Sequence, residues 1–322
     1  MSIASVPFDS IFQALKMSRG PTQIASKGAC IYCKRADVRL TDEHILPLAL
    51  GGVHVIKEGS CQNCAKITSK FELDVARHMW GDARKSYGGV SRRRKRWEKN
   101  ITLDDIKTSG EKINIPFDEY PAGFVFYLMK RAGSLIGLSE DIDQSKIWEF
   151  RVVADDDRMK KFEKRYPGRL TIRFKHVPDS FARLLAKIGY GQILCSLDPE
   201  DFEPICLPYI LGTKANPSYL VGGRWTIPPP SPGIGYEMST NCVVSEDKLL
   251  LIAEIRLYAN VHSPVYHVVV GRVRGPERVA HALGKVQATC IVAVTDANLY
   301  APPMDDKFHW LPRVWPPSLF HG

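Results

Sequence analysis

The chain has 322 residues, of which 44% are hydrophobic and 25% are charged, and this composition excludes wholesale disorder, a collagen-like repeat and a coiled coil. The formal net charge of +9 lies entirely in residues 1–100, because residues 101–322 contain equal numbers of basic and acidic side chains. A basic region beside a neutral one favours a polyanion bound at one end of the protein, with a role in solubility as the alternative. No apolar run approaches the roughly 20 residues that span a bilayer, and the first residues lack a signal-peptide pattern. The sequence therefore predicts a soluble, cytoplasmic protein that does not interact with membranes.

In chain order, the sequence divides into four parts. These are an N-terminal arm at 1–27 with an amphipathic helix over 8–18, a cysteine-containing module at 28–85, a basic linker at 86–100 and a mixed α/β domain at 101–322. Within the last part, apolar side chains with helical spacing predict a helix over 179–190. Two β-branched runs at 249–258 and 265–273 predict a hairpin. The fold class that these elements indicate is α+β.

Four of the eight cysteines form two CxxC pairs, Cys30 with Cys33 and Cys61 with Cys64. Each CxxC turn directs two sulfur atoms the same way, so the two pairs can surround one tetrahedral zinc ion. A redox-active dithiol is the alternative. We expect a structural zinc, and because all four of its ligands would come from the protein, this ion would hold the fold without activating water.

The sequence between the two CxxC pairs carries the candidate chemistry. Asp42, Glu43 and His44 stand in succession and are followed by an apolar turn with Gly51 and Gly52. A carboxylate can hold a hard divalent cation, and a neighbouring imidazole can accept a proton from water. Adjacent residues of a strand point to opposite faces, so Glu43 and His44 share one cleft only if the strand bends or contains a bulge.

The ordered set CxxC, EHILP, GG and CxxC over roughly residues 28–80 resembles the zinc-knuckle branch of the HNH endonucleases, which have the ββα-metal (His-Me finger) fold. The resemblance implies an N-terminal zinc-stabilised ββα-metal module followed by a larger mixed α/β domain. It implies that His44 is the general base that deprotonates the attacking water and that Glu43 is a ligand of the catalytic divalent ion. It also implies that the four paired cysteines are the zinc ligands and that Gly51 and Gly52 form the turn between the two strands.

The sequence departs from this family pattern at two positions. Many relatives have Asn or His after the last cysteine, where this chain has Ala65, and the middle Asn is not evident, with His54 or Asn63 as substitutes. On a helix that begins near Cys64, one face would carry Ala65, Thr68, Ser69 and Glu72. We expect Glu72 to hold the catalytic Mg²⁺ or Mn²⁺ together with Glu43, the alternative being an ordinary solvated carboxylate.

A strongly basic run follows the module. It consists of Arg92, Arg93, Arg94, Lys95, Arg96 and Trp97. Such a run suits phosphate contacts with one aromatic stacking platform, although successive like charges are also typical of a solvated or disordered segment. Beside a nuclease-like module, we favour contact with nucleic acid.

The sequence leaves several hypotheses open for the function. The first is a metal-dependent endonuclease that cuts DNA, or alternatively RNA, through His44 while residues 101–322 recognise a target, a protein partner or a second copy. The second is a zinc-stabilised nucleic-acid-binding module that has lost catalysis, as the departures at Ala65 and the middle Asn suggest. A third, which concerns biological role, is a defence effector whose second domain senses a trigger.

Overall fold

The computed structural model describes residues 22–87, 89, 98–104, 112–169, 172–224, 226–231, 235–245 and 247–288. The helix predicted over 8–18 and the basic run from Arg92 to Trp97 lie outside the described residues.

The cysteine-containing region consists of a small sheet with a helix directly after it. Its strands are β1 (Thr22–Ile24), β2 (Leu40–His44) and β3 (His54–Cys61), in the order β1-β3-β2. β1 pairs with β3 in parallel, and β2 pairs with β3 in an antiparallel ladder. Helix α1 (Gln62–Leu73) starts at the end of β3, widens into a π-helical turn at Asp74–Met79 and is followed by α2 (Gly81–Ser86). The strand-turn-strand-helix order is the one that the ββα-metal resemblance implied.

The remainder of the described chain is a mixed domain of helices and antiparallel strands. Its elements are β4 (Asn100–Asp104), β5 (Lys112–Pro116), β6 (Phe124–Leu128), β7 (Glu149–Val153), α3 (Asp156–Arg165), α4 (Pro178–Ile193), β8 (Glu203–Pro204), α5 (Leu207–Leu211), β9 (Val221–Gly223), β10 (Tyr236–Ser245), β11 (Lys248–Leu257), β12 (Val265–Arg274) and α6 (Pro276–Ala288), with short 3-10 turns between some of them. The α+β class is therefore confirmed. None of the helices in the described ranges is long and apolar enough to cross a membrane.

Helix α4 and the large sheet confirm two predictions of the sequence analysis. β11 and β12 form the expected antiparallel hairpin, and the sheet order is β10-β11-β12-β8 with β9 also paired to β12. The predicted helix is α4, which starts with Pro178 in its first turn, where a missing N–H costs nothing. Gly189 of α4 lies so close to the sheet that a Cβ there would stand 3.0 Å from the side chain of Val268. Helix α4 is thus packed tightly onto the sheet.

One hydrophobic core joins the cysteine-containing region to the larger domain. Trp80, at the end of the π-helical turn, is fully buried and donates its indole N–H to the Val125 carbonyl over 2.6 Å. Its ring packs edge-on against Phe124, Phe181 and Tyr258 of the larger domain. Because aromatic side chains of this size supply much of a core's stabilisation, Trp80 couples the folding of the two parts.

Candidate active site and zinc knuckle

The four paired cysteines come together at one end of the small sheet. Their sulfur atoms all lie within 4.8 Å of one another, and the Cys33 and Cys61 sulfurs are 3.7 Å apart. A tetrahedral zinc ion with Zn–S bonds of about 2.3 Å places its sulfur ligands about 3.8 Å apart. The donor set and its spacing therefore fit a closed, structural zinc site, as the sequence predicted.

Local backbone geometry builds this cluster. Residues 31–33 form a turn in which Lys34 donates its N–H to the Cys30 carbonyl over 2.8 Å, and Lys34 itself has a φ of +63°. The Cys61 N–H donates to the Cys30 sulfur over 3.3 Å, which links the two CxxC pairs. Cys61 ends β3 and Cys64 lies in the first turn of α1, so the junction of strand and helix directs both sulfurs to the same point.

The turn between β2 and β3 requires both of its glycines. Gly51 has a φ of +89°, in the left-handed region that side chains with a Cβ disfavour. Gly52 packs against the backbone of Leu46, where a Cβ would come within 1.8 Å of the carbonyl oxygen. The pair folds the chain back on itself, so that the end of β2 stands beside the start of β3.

A bulge near the middle of the ladder lies directly before Glu43 and His44, and both of these residues line one cleft. Thr41 is opposite Ser60 but Glu43 is opposite Ile56, so residues 57–59 bulge out of β3 around Glu58, whose φ is +48°. The bulge is in β3, whereas Glu43 and His44 pair regularly with Ile56 and Val55. Asp42 stabilises this bulge, because its carboxylate accepts the Glu58 N–H over 3.1 Å and pairs with Lys57 over 2.5 Å.

The cleft has a volume of about 770 Å³ and is formed by β2, the turn after it, α1 and α2. Its lining includes Glu43, His44, Ala65, Thr68, Ser69, Glu72, Arg77, Arg84, Lys85 and Lys187. The lining residues of α1 are the four that helical spacing assigned to one face, together with Leu73. His54, considered as a substitute for the missing Asn, instead packs its ring edge-on against Tyr236, and burial lowers its pKa.

Glu43 and Glu72 converge, and the ammonium group of Lys187 lies between them. Lys187 Nζ is 2.8 Å from Glu43 Oε1 and 2.9 Å from Glu72 Oε1. The same nitrogen donates to the backbone carbonyl of His44 and, over 3.3 Å, to that of Ile45. Only 1% of the Lys187 side chain is exposed, so this cation belongs to the interior of the site.

The family comparison agrees with this geometry. Residues 30–79 match the family model for HNH endonucleases. They form an HNH endonuclease module. The matched segment begins at Cys30 and ends within the π-helical turn, so it contains the zinc knuckle, β2, β3 and α1. Searches of curated proteins and of solved structures found no match to the chain.

The family of the HNH module implies a nuclease that acts on nucleic acid and depends on a metal ion. Glu43, His44 and the four knuckle cysteines lie inside the matched segment, as does Glu72. Lys187 lies far outside it, and the sequence analysis missed this residue. Its one signal in the sequence is a lysine that follows the apolar run Leu184–Ala186 and precedes Ile188, and this signal does not identify the partners of the charge.

Electrostatics keep Glu43 and Glu72 of the HNH module together with Lys187 of α4. Burial opposes the charge on Lys187, but the carboxylates of Glu43 and Glu72 outweigh it and raise the pKa of this ammonium above its usual value. Burial and the negative charges of Glu43 and Glu72 raise the pKa of the buried Tyr32 well above its usual value.

The divalent ion predicted between Glu43 and Glu72 does not fit this arrangement. Lys187 Nζ is within 2.9 Å of one oxygen of each carboxylate and takes the space between them. A second cation beside the ammonium would be repelled by it at a distance where the buried environment screens charges poorly. Binding of Mg²⁺ or Mn²⁺ by these two residues stays a prediction, and it requires Lys187 to leave.

Proposed function

We propose that the HNH module hydrolyses phosphodiester bonds of DNA, with His44 as the general base. The observation that carries this proposal is the position of His44. It is half-buried in the wall of an open cleft, within the segment that matches the nuclease family. A neutral imidazole at such a place can take the proton from a water molecule that attacks phosphorus.

Hydrogen bonds from β3 and from Lys187 fix the strand that carries His44. Ile45 donates its N–H to the His54 carbonyl over 3.0 Å, which continues the ladder past the end of β2. Lys187 binds the carbonyl of His44 from the opposite side. A base fixed in this way needs little reorganisation when a water molecule and a phosphate enter the cleft, which favours proton transfer.

Cationic side chains of the π-helical turn and of α2 provide the phosphate contacts in this proposal. Arg77 is exposed at the cleft, while Arg84 is buried in its wall and donates to the Ala76 carbonyl over 2.6 Å. Lys85 also lines the cleft. Positive groups at fixed positions attract the DNA backbone and stabilise the charge that develops on the phosphate during hydrolysis. The basic run from Arg92 to Trp97 follows α2 closely in sequence, and we propose that it extends this surface.

Nicking of supercoiled plasmid by the zinc-loaded full chain tests the proposed function. We expect His44→Ala to lower the nicking rate by about 10²- to 10⁴-fold, the usual contribution of a general base. His78→Ala is the matched control, because His78 is an exposed histidine on the same module and its removal should leave the rate unchanged. Equal nicking by His44→Ala and the wild type would refute the role of His44.

A second candidate function is a nucleic-acid-binding module without catalysis. The ion pairs of Lys187 favour it, because they take up the carboxylates that the family resemblance assigned to a catalytic ion. In that case the chain would bind DNA in a salt-dependent manner and leave plasmid intact with Mg²⁺, with Mn²⁺ and with neither. Binding measured by fluorescence anisotropy beside the nicking assay separates the two functions.

A further inference from the structure

We propose that Lys187 replaces a divalent ion in the HNH module. Its ammonium group is the permanent counter-charge of Glu43 and Glu72 and holds the strand of His44, so that no divalent ion binds between these two carboxylates. The proposal deepens the proposed function by naming what completes the site. It is tested by metal binding and does not depend on whether the protein cuts DNA.

The Lys187 nitrogen atom lies where one cation can serve both carboxylates. Nζ makes contacts of 2.8 and 2.9 Å with one oxygen of each carboxylate, and it also donates to the carbonyl oxygen of His44. An ammonium group has three protons, and these three oxygens can take all of them. Lys187 thus joins β2 to α1, which is the bridging contact that the sequence analysis assigned to a metal ion.

Helix α4, which carries Lys187, is fixed against the module. The helix is tied to the module along its length, with Ser180 donating to Asp74 over 2.9 Å at one end. Toward the other end, Tyr190 donates its hydroxyl to the Ile31 carbonyl over 2.8 Å. Gly191 lies against Ile45, where even a Cβ would come within 3.0 Å of the Ile45 side chain. These contacts fix the backbone of Lys187, and its side chain is 1% exposed and extends from there to the two carboxylates.

The charges of the cluster also favour this arrangement. Two carboxylates and one ammonium leave a single negative charge. Positive charge for a phosphate comes from Arg77, Arg84 and Lys85 in the wall of the same cleft. Lys187 itself is directed toward protein oxygens, so it is a positioning residue for His44 and its cleft.

Mn²⁺ binding to the zinc-loaded full chain tests this proposal, measured by electron paramagnetic resonance of free Mn²⁺. We expect no Mn²⁺ site in the wild type that depends on Glu43 or Glu72. Replacement of the ammonium by a neutral side chain of similar length, Lys187→Met, frees both carboxylates and should create one Mn²⁺ site, with affinity at least about tenfold above the background. Adding Glu72→Gln to this variant should remove the new site.

Lys34→Met is the matched control, because Lys34 also reaches α4, through a contact of 3.2 Å with the Tyr190 hydroxyl, but does not touch the carboxylates. This control should gain no Mn²⁺ site. Mn²⁺ should also raise the melting temperature of Lys187→Met but not that of Lys34→Met or of the wild type. This difference would support the proposal further, because replacing a lysine with a purely structural role would not create a Mn²⁺-dependent rise.

Two results would overturn the proposal. One is Mn²⁺ binding by the wild type that Glu43→Gln or Glu72→Gln abolishes, because the ion would then displace Lys187. The other is a folded Lys187→Met protein that gains no Mn²⁺ site. If Lys187→Met does not fold, Mn²⁺ binding by the wild type and by its Glu43→Gln and Glu72→Gln variants decides the proposal. The Mn²⁺ measurements do not depend on DNA cleavage, so a negative plasmid assay would refute the proposed function without changing them.

Discussion

The HNH module contains two clusters of potential metal ligands that are built in different ways. All members of the zinc knuckle lie between Cys30 and Cys64, and local turns together with the junction of β3 and α1 bring them together. The carboxylate cluster combines Glu43 and Glu72 with Lys187, whose helix belongs to the larger domain. The knuckle therefore depends on an ion from solution, whereas the carboxylate cluster depends on the packing of α4. A cysteine pattern identifies the first kind of site, but only the tertiary structure identifies the cation of the second.

The largest effect should follow from breaking the knuckle. Cys30→Ser removes one of four zinc ligands, and a structural zinc contributes about 10–16 kcal/mol of apparent binding free energy to the fold of a small module. We expect the zinc content to fall from one per chain toward zero and the HNH module to unfold. Metal analysis and proteolysis of the purified protein measure these two changes.

Cys195→Ser is the control for this variant, because Cys195 lies outside the cluster and donates its thiol to the Gly191 carbonyl, as a serine hydroxyl also can. It should retain full zinc content. Retention of zinc by Cys30→Ser would show that the four sulfurs do not share one ion.

The carboxylate cluster should respond strongly to loss of its lysine. Lys187→Met leaves the buried Glu43 and the half-buried Glu72 without their counter-charge, and removal of one partner of a buried ion pair typically destabilises a protein by about 3–5 kcal/mol. Urea denaturation measures the change in unfolding free energy. Lys34→Met, with its exposed lysine, should lose less than about 1 kcal/mol. Equal losses of unfolding free energy in both variants would show that Lys187 is not the counter-charge of the two carboxylates.

A buried histidine of the large sheet provides a contrast to the charged Lys187. His267 on β12 is 1% exposed and accepts the Ala132 N–H over 3.1 Å. Burial, with the charges of Arg131 and Arg224, lowers its pKa to about 3. The unfolded chain, with a histidine pKa of about 6.5, therefore binds more protons at mildly acidic pH. Stability from this group is fully present above pH 6.5 and is lost as the pH falls toward 3.

The expected slope of this loss is at most about 1.4 kcal/mol per pH unit. His267→Gln removes the titrating group and keeps an acceptor for the Ala132 N–H. Between pH 6.5 and 4.5, its unfolding free energy should fall less steeply than that of the wild type. Parallel pH profiles of the two proteins would rule out a neutral, buried His267.

The smallest effect should come from Asp42, the carboxylate beside Glu43. Its side chain is 42% exposed and pairs with Lys57 at the surface of the bulge. Exposed ion pairs contribute about 0.2–1 kcal/mol, so Asp42→Asn should lower the unfolding free energy by no more than this. Thermal denaturation of Asp42→Asn and of Lys187→Met, each against the wild type, measures the two losses of stability. A loss as large as that of Lys187→Met would mean that the ion pair of Asp42 contributes as much to stability as the ion pairs of Lys187, which contradicts this comparison.

The sequence predicted those parts of the site that depend on neighbours along the chain. The CxxC spacing predicted the zinc cluster, Gly51 and Gly52 predicted the tight turn, and helical spacing assigned Ala65 and Glu72 to the face that lines the cleft. Periodicity likewise predicted α4 and the hairpin of β11 and β12. Each of these features follows from residues that are close in sequence or that share one regular element.

The sequence did not predict features that depend on distant packing. Lys187 is 143 positions from His44, and the apolar pattern that revealed α4 gave no reason for one lysine to be buried at its inner face. The parallel pairing of β1 with β3 joins the end of the N-terminal arm to the module and has no local signal either. The roles of His44, Glu43 and Glu72 in catalysis stay predictions, as do the domain boundaries and the nucleic-acid contacts of the basic run.

A crystal structure of the full chain grown with Mn²⁺ would test the contrast between the two clusters most directly. Anomalous diffraction above the zinc and manganese absorption edges identifies each ion by its own signal. We predict a zinc peak at equal distances from the four knuckle sulfurs, no manganese peak between Glu43 and Glu72, and Lys187 Nζ within hydrogen-bonding distance of both carboxylates. A manganese peak between these carboxylates, with Lys187 turned away, would contradict the account.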